Sequence, residues 1–296
     1  MTYTEPEQWH ATAPASSANL GPGFDCLGLA LDLPFELIAP NSTDVVPEGF
    51  LLAEPTHPAA AAFVVAGGNA EVHLWWRSPI PPGRGLGFSG AARVAGAYLA
   101  HALARPGDEQ WCRTGALRVA GMLEGHPDNA AASTYGGLTV AVGEQCIVVP
   151  APDDLMHSLR AVVWSPTRST STDASRKVLA EQVPLEDAVF SIGRAALWVA
   201  AMASGDVSML RTATQDRVHQ PTRLAARDDT RAALDQLLAR PEVLGAWLSG
   251  SGPSVAGLVR GDEPARSVAA HLEGQHVEPP GRVRCLAVDR SGVRQV

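Results

Sequence analysis

The sequence predicts an α+β fold in which strands pair antiparallel. Strand-like and helix-like segments follow one another without regular βαβ alternation, which argues against a doubly wound parallel sheet. Two places show the chain doubling back: "GGLTVAV" and "QCIVVPA" read as a hairpin around "GEQ", and "GAWLSGSGPSVAGLV" interrupts an apolar run with a glycine turn. The chain has 296 residues, 46% of them apolar, enough for one large domain or two closely joined ones. A new series of elements starts after residue 155, so the expected domains are 1–155 and 156–296.

In chain order, "PASSANLGPGFD" supplies a short apolar segment and a tight turn at Gly21, Pro22 and Gly23. "GLALDLPFELIAP" reads as a strand. Residues 41–70, rich in Pro and Ala, show no clear period and receive no element. "AEVHLWWRSPI" alternates and predicts a strand running into a glycine-rich loop. "SGAARVAGAYLAHALA" has small and apolar residues at helical spacing, and "TGALRVAGMLEG" is a second helix stopping at Gly125. Past the hairpin, "RAVVWSP" is a strand, and helices are expected at Leu185–Ala203, Val207–Val218 and Asp228–Ala239. A strand or helix follows the glycine turn, and "RVRCLAVDRSGVRQV" is a closing strand with a turn at Ser291–Gly292.

The net charge is −8 with no basic cluster, which argues against a nucleic-acid partner. Anions must therefore be handled by a few local cations and by backbone amides. Lys177 is the single lysine, so no Gly-Lys-Ser/Thr phosphate loop and no protein-kinase lysine strand exist. Four scattered cysteines without a Cys-x-x-Cys pair read as buried free thiols. No leader pattern or membrane-length apolar run occurs, so the expectation is a cytoplasmic protein without a membrane partner.

Five clusters carry chemistry. In "PPGRGLGFSGAA", Gly83, Gly85, Gly87 and Gly90 let backbone N–H groups converge just before a helix, which is how an anion is cradled. Ser89 there could bond a phosphate, ligate Mg²⁺ or cap the helix; a structural turn fits equally well. In "LEGHPDNAAASTYGG", Glu124 could be a hard oxygen ligand for Mg²⁺, while Asp128 or Asn129 could simply cap the next helix and His126 could be structural. "SPTRSTSTDASRK" is a solvated loop or a place where Thr172 and Arg176, one helical turn apart, share a face. "DRVHQPTRLA" contributes His219 and Arg223; two arginines from distant segments can clamp a carboxylate. "LSGSGPS" is a second glycine- and serine-rich turn.

Together these segments resemble the galactokinase–homoserine kinase–mevalonate kinase–phosphomevalonate kinase (GHMP) superfamily, and homoserine kinases most. "PASSANLGPGFDCLGLAL", "PPGRGLGFSGAA", "EGHPDNAAASTYGG", "STSTDASRKVL", "DRVHQPTR" and "LSGSGPSVAGLV" match in order from Pro14 to Val259. The resemblance implies a first half like ribosomal protein S5 domain 2 and a ferredoxin-like second half. It implies ATP and Mg²⁺ as cofactors, a small amino acid as the other substrate, homoserine phosphorylation in threonine biosynthesis, and a homodimer. By position, Arg84, Gly85, Leu86, Gly87, Ser89 and Gly90 would hold nucleotide, and Ser89 and Glu124 the metal. Asn19, Asp25, His126, Asn129, Thr172, Arg176, Arg223 and Gly250 would surround the amino acid, with Asn129, His126 and Arg176 closest to the chemistry.

Three departures from the family pattern stand out. Phe88 replaces the first serine of a Ser-Ser-Ala phosphate loop, and Gly90 replaces the alanine. Losing that hydroxyl costs about 1.5–3 kcal/mol of phosphate binding. The 41–70 segment is short, and Met122 stands where relatives often carry a second Glu. A relative with another substrate, phosphate donor or chemistry, and a non-catalytic amino-acid-binding relative, are the competing readings; nucleotide affinity and product analysis separate them.

Overall fold

Two antiparallel sheets organise the computed structural model, which describes residues 8–40, 48–170, 172–274 and 281–296. The first half runs β1 (Gln8–Ala18), β2 (Leu27–Pro40), β3 (Leu51–Leu52), α1 (Pro58–Val65), β4 (Trp75–Arg77), α2 (Phe88–Ala104), α3 (Glu109–Glu124), α4 (Asp128–Tyr135), β5 (Leu138–Val142) and β6 (Gln145–Val148). The second runs α5 (Asp153–Ser158), β7 (Leu159–Pro166), α6 (Thr172–Lys177), α7 (Leu185–Ser204), a 3₁₀ turn at Val207–Met209, α8 (Leu210–Ala213), α9 (Gln220–Ala225), α10 (Asp228–Ala239), β8 (Val243–Leu248), β9 (Val255–Arg260), α11 (Asp262–Gly274) and β10 (Gly281–Ala287). A final strand, β11 (Arg294–Gln295), returns to pair with β1.

The first sheet has the order β11-β1-β2-β4-β3, with β5 pairing the start of β2 and β6 extending from β5. The second has the order β10-β7-β9-β8, all antiparallel. Numbering those four strands in chain order gives 4-1-3-2, the ferredoxin-like split βαβ arrangement expected of this half. The α+β expectation therefore holds in both halves.

Alternation along the second sheet divides its side chains between two cores. Ala161, Val163, Trp247, Ala256 and Leu258 join the core of the first half. Val162, Trp164, Leu248, Val255 and Val259 turn the other way, onto Ala233, Leu237, Val268 and Leu272 of α10 and α11. One apolar layer is thus shared by both halves. In the first half small residues permit close helix packing: a Cβ at Gly96 of α2 would lie 2.0 Å from the Ala59 carbonyl oxygen of α1.

Some expected elements differ. The strand expected over 70–80 shrinks to Trp75–Arg77, because Asn69 makes an Asx turn, its Oδ1 accepting from the Glu71 N–H and its carbonyl from Val72. Residues 58–65, left without an element, form a helix whose first turn is set by Pro58 and by the His57 ring accepting from the Ala59 N–H. The helix expected over 207–218 stops at Ala213. Asp216 ends it by accepting from the N–H groups of Val218, His219 and Gln220 and starting α9 instead. α11 had no counterpart in the expected elements. The segment after the glycine turn is a strand. All four cysteines are free, and Cys285 is exposed rather than buried. Among the described residues no helix is long and apolar enough to cross a membrane.

Candidate active site

The site lies where the two halves meet, and its floor is the turn between β1 and β2. Three non-glycine residues there, Asn19, Leu20 and Asp25, have φ of +68°, +49° and +58°. Each costs of order 1 kcal/mol or more and persists only where neighbours over-determine it. They do: the Asn19 N–H donates to the Leu27 carbonyl, Asn19 Oδ1 accepts from the Asp25 N–H at 3.0 Å, and Asn19 Nδ2 donates to the Gly250 carbonyl at 3.0 Å. Trp198 Nε1 donates to the Leu20 carbonyl. The strained turn aims the Asp25 carboxylate across the cleft.

The glycine loop forms one wall. Gly83, Gly85 and Gly87 all have positive φ, and Gly87 precedes the first turn of α2. Close approach also requires glycine: a Cβ at Gly85 would lie 2.1 Å from the Ser249 carbonyl oxygen, and one at Gly87 2.1 Å from Ser16 Oγ. The loop is held from two sides. The Leu86 carbonyl accepts from the Ser16 N–H while its side chain is buried in the core, and Ser249 Oγ donates to the Gly85 carbonyl at 2.6 Å. The second glycine turn, 249–253, therefore clamps the first. Arg84 spends its guanidinium on the carbonyls of Pro82, Pro166 and Thr167, bracing loop to loop.

The third wall is the α3–α4 corner. Gly125, with φ +78°, ends α3, and Asp128 opens α4. Asp128 is buried; its Oδ1 accepts from the Asn129 N–H at 2.8 Å and faces His126 Nδ1 at 2.6 Å. A carboxylate in a first helical turn suits the helix dipole. Burial lowers the His126 pKa, but the bond and charge of Asp128 outweigh it and hold the imidazole above its usual value. Asn129 Oδ1 accepts from Ser16 Oγ at 2.9 Å. Gly90 lets this corner approach α2: its Cβ would sit 3.1 Å from Asn129 Cβ. Glu124 pairs with Arg93.

The cations come from the second half. Arg176 binds Asp25 bidentately, both N–H···O distances being 2.8 Å. Arg223, 4% exposed, donates through Nε to the Ser175 carbonyl and through Nη1 to the Gly250 carbonyl. Burial, then the charge of Arg176, lowers its pKa to about 10, so it stays cationic at neutral pH.

One cavity brings together Asn19, Asp25, Arg84, Gly85, Gly87, Ser89, Glu124, His126, Asn129, Arg176, Arg223 and Gly250, all expected from the sequence. Leu86 and Gly90 are not on its surface: the first is a core residue and the second is a buried residue of α2 that faces Asn129. The Thr172 side chain lies outside the described residues. Gly83 of the expected anion loop lines it as well; Asp128, Thr170 and Ser251 also line the cavity and were not assigned to it. For Asp128 the signal was present, a second acidic residue beside Asn129, but it was equally compatible with a helix cap.

Known proteins are similar to this chain in sequence and fold. A family model of the GHMP kinase N-terminal domain matches residues 56–137, and one of the GHMP kinase C-terminal region matches residues 198–278. A homoserine kinase of Thermus thermophilus is 39% identical over 283 residues, 93% of this chain and 94% of that one. The chain belongs to the homoserine kinase family of GHMP kinases. A homoserine kinase of Clavibacter michiganensis is 37% identical over 293 residues, 94% of this chain and 91% of its own. The crystal structure of homoserine kinase from Cytophaga hutchinsonii has the same fold, with a TM-score of 0.81 at 24% identity, covering 100% of this chain and 99% of that one. The fold is shared by L. major mevalonate kinase, with a TM-score of 0.73 at 15% identity, over 99% of this chain and 100% of that one.

Within this homoserine kinase family member, Phe88 has a visible role. Its ring packs edge-on against Phe35, His57 and Trp76, with centroids 5.7, 6.0 and 5.7 Å away. It also borders the cavity. The side chain that displaces a loop hydroxyl is thus anchored in an aromatic cluster.

Proposed function

We propose that this protein transfers the γ-phosphoryl group of ATP to the hydroxyl of L-homoserine, giving O-phospho-L-homoserine. The observation that carries this is a single cavity with two complementary faces. Asp25, Arg176 and Arg223 match the ammonium and carboxylate of a small zwitterion, and Gly85, Gly87 and Ser89 at the start of α2 match a polyphosphate. Asp25 and Arg176 form an ion pair with each other; a zwitterion would exchange that pair for one ion pair with each end of itself. Asn129 lies against the loop, its Oδ1 3.0 Å from where a Gly87 Cβ would be, so a hydroxyl it holds points at the phosphates. His126, oriented by Asp128, is the second group able to direct that hydroxyl.

Ser89 and Glu124 would hold Mg²⁺. Both border the cavity and both offer hard oxygens; the Glu124 carboxylate is held in the structure by an ion pair with Arg93, which Mg²⁺ binding would have to share or displace. Mg²⁺ supplies neutralisation of phosphate charge when bound. Because phosphoryl transfer has a loose transition state, positioning and charge are the main contributions asked of the protein, and no strong general base is assigned. The reading carries with it a cytoplasmic homodimer.

The test is calorimetric titration with ATP-Mg²⁺ and L-homoserine, followed by mass analysis of the mixture. Appearance of O-phosphohomoserine is expected. Homoserine binding without nucleotide binding, or both binding without product, would overturn the assignment.

A further inference from the structure

Arg223 is held by a residue that never reaches the cavity. His219, one helical turn earlier, is fully buried, and its Nδ1 lies 3.2 Å from Arg223 Nη1. A guanidinium can only donate, so Nδ1 must accept. That places the ring proton on Nε2, which donates to the Gly21 carbonyl at 2.7 Å. The neighbours thus dictate one neutral tautomer. The His219 backbone is fixed as well: Asp216 Oδ2 accepts from the N–H groups of His219 and Gln220, and Asp216 Oδ1 from Val218 and from Ser191 Oγ. A Cβ at Gly21 would sit 2.2 Å from the Thr214 carbonyl oxygen, so the carbonyl that receives the His219 proton is itself packed in place.

Phe24 completes the assembly. Its ring stacks at a tilt on His219, with centroids 5.1 Å apart. The Cζ atoms of Arg176 and Arg223 lie 5.3 and 5.2 Å from its centre. Two like charges that repel are each attracted to the same ring, which sets how far apart they stand. Among the described residues, no protein acceptor takes a hydrogen bond from Arg223 Nη2.

We infer that His219 is a positioning residue for amino-acid recognition: by accepting from Nη1 it turns the Arg223 guanidinium so that Nη2 meets the substrate carboxylate, with Phe24 as the spacer from Arg176. This rests on the proposal that a zwitterionic amino acid binds between Asp25 and the two arginines.

Two near-isosteric variants separate the halves of the device. In His219→Gln the amide can still donate to the Gly21 carbonyl but offers no acceptor at the Nδ1 position. In His219→Asn the amide oxygen takes the Nδ1 position and the Gly21 bond is lost. Steady-state kinetics with L-homoserine and ATP-Mg²⁺ should show the homoserine KM raised tenfold or more in His219→Gln, with kcat and the ATP KM within threefold of wild type. His219→Asn should return the homoserine KM to within threefold. Phe24→Leu should raise it severalfold. A homoserine KM within twofold of wild type in His219→Gln, or an equal loss of kcat in both variants, would overturn the inference. A substrate-free readout is ¹⁵N NMR of the imidazole in the wild-type protein. A single Nε2-protonated form is expected, and an averaged or Nδ1-protonated ring refutes the arrangement even if neither variant folds. A fixed tautomer in a protein that makes no phosphohomoserine would instead count against the kinase proposal alone.

Discussion

The two sides of the cleft are made from different parts of the polypeptide. On the proposed amino-acid side, the groups offered are polar and charged side chains brought from four separate segments: Asp25, His126 with Asp128, Arg176, and Arg223. On the proposed phosphate side, the groups offered are main chain, and the geometry depends on the absence of side chains at Gly83, Gly85 and Gly87. The first side fails when atoms are removed, because a partner is left buried and uncompensated. The second fails when atoms are added, because a Cβ collides with neighbouring backbone or forces a disfavoured φ. That contrast can be tested from either direction.

Removal on the charged side should have the largest effect. Arg223→Ala is expected to lower kcat/KM for L-homoserine by about 10³-fold, corresponding to about 4 kcal/mol for leaving the substrate carboxylate without its buried cationic partner. The ATP KM should stay within threefold, and an equal loss for both substrates would erase the distinction between the sides. Addition on the main-chain side comes next. Gly85→Ala puts a Cβ 2.1 Å from the Ser249 carbonyl oxygen at φ +68°. It should destabilise the protein by about 2–3 kcal/mol and weaken ATP more than homoserine in calorimetry.

Phe88→Ser sharpens the comparison, since Phe88 puts a bulky apolar side chain at the start of α2, on the border of the cavity. Removing it takes a ring out of the Phe35–His57–Trp76 cluster and should cost about 2 kcal/mol in denaturant unfolding. The added hydroxyl should tighten ATP severalfold; unchanged ATP affinity would mean that the loop relies on main chain alone. The smallest effect concerns His57 in the same cluster, whose pKa burial lowers to about 4. An unfolded histidine titrates near ~6.5, so the unfolded state gains its proton first as pH falls. The contribution of His57 is complete above that value and is lost as pH drops toward 4. His57→Asn keeps an N-cap for α1 and does not titrate. Its Tm should fall less than that of the wild type between pH 7 and 4.5.

Much of the site was legible because its chemistry is local. The glycine loop, the Glu124–Asn129 corner and the second glycine turn each sit within a few consecutive residues, and the cavity gathers nearly all the residues expected of it. What was not legible depends on distant partners. Nothing in the sequence says that Asp25 and Arg176, 151 residues apart, hold each other, or that Arg84 is absorbed by the carbonyls of 166–167. The misjudged elements share a cause. Asn69 and Asp216 are short polar side chains that capture backbone N–H groups and overrule the period of the segments around them. In the fold, the antiparallel pairing was visible in the glycine turns, whereas α1 and α11 were not identified.

The small strand at Arg294–Gln295 bears on how the protein is made. It pairs with Ala11 and Thr12, and Gly137 and Ala30 of the first half are bonded to the backbone of Asp289. A ribosome delivers residues 8–148, almost the whole first sheet, long before it delivers these. The early half must therefore wait with one edge of its sheet unpaired while the entire second half emerges. Exposed strand edges recruit other chains. The protein's vulnerability to aggregation should thus lie in the interval of synthesis between these two segments, and a short peptide matching residues 289–296 should protect a truncated nascent chain from it.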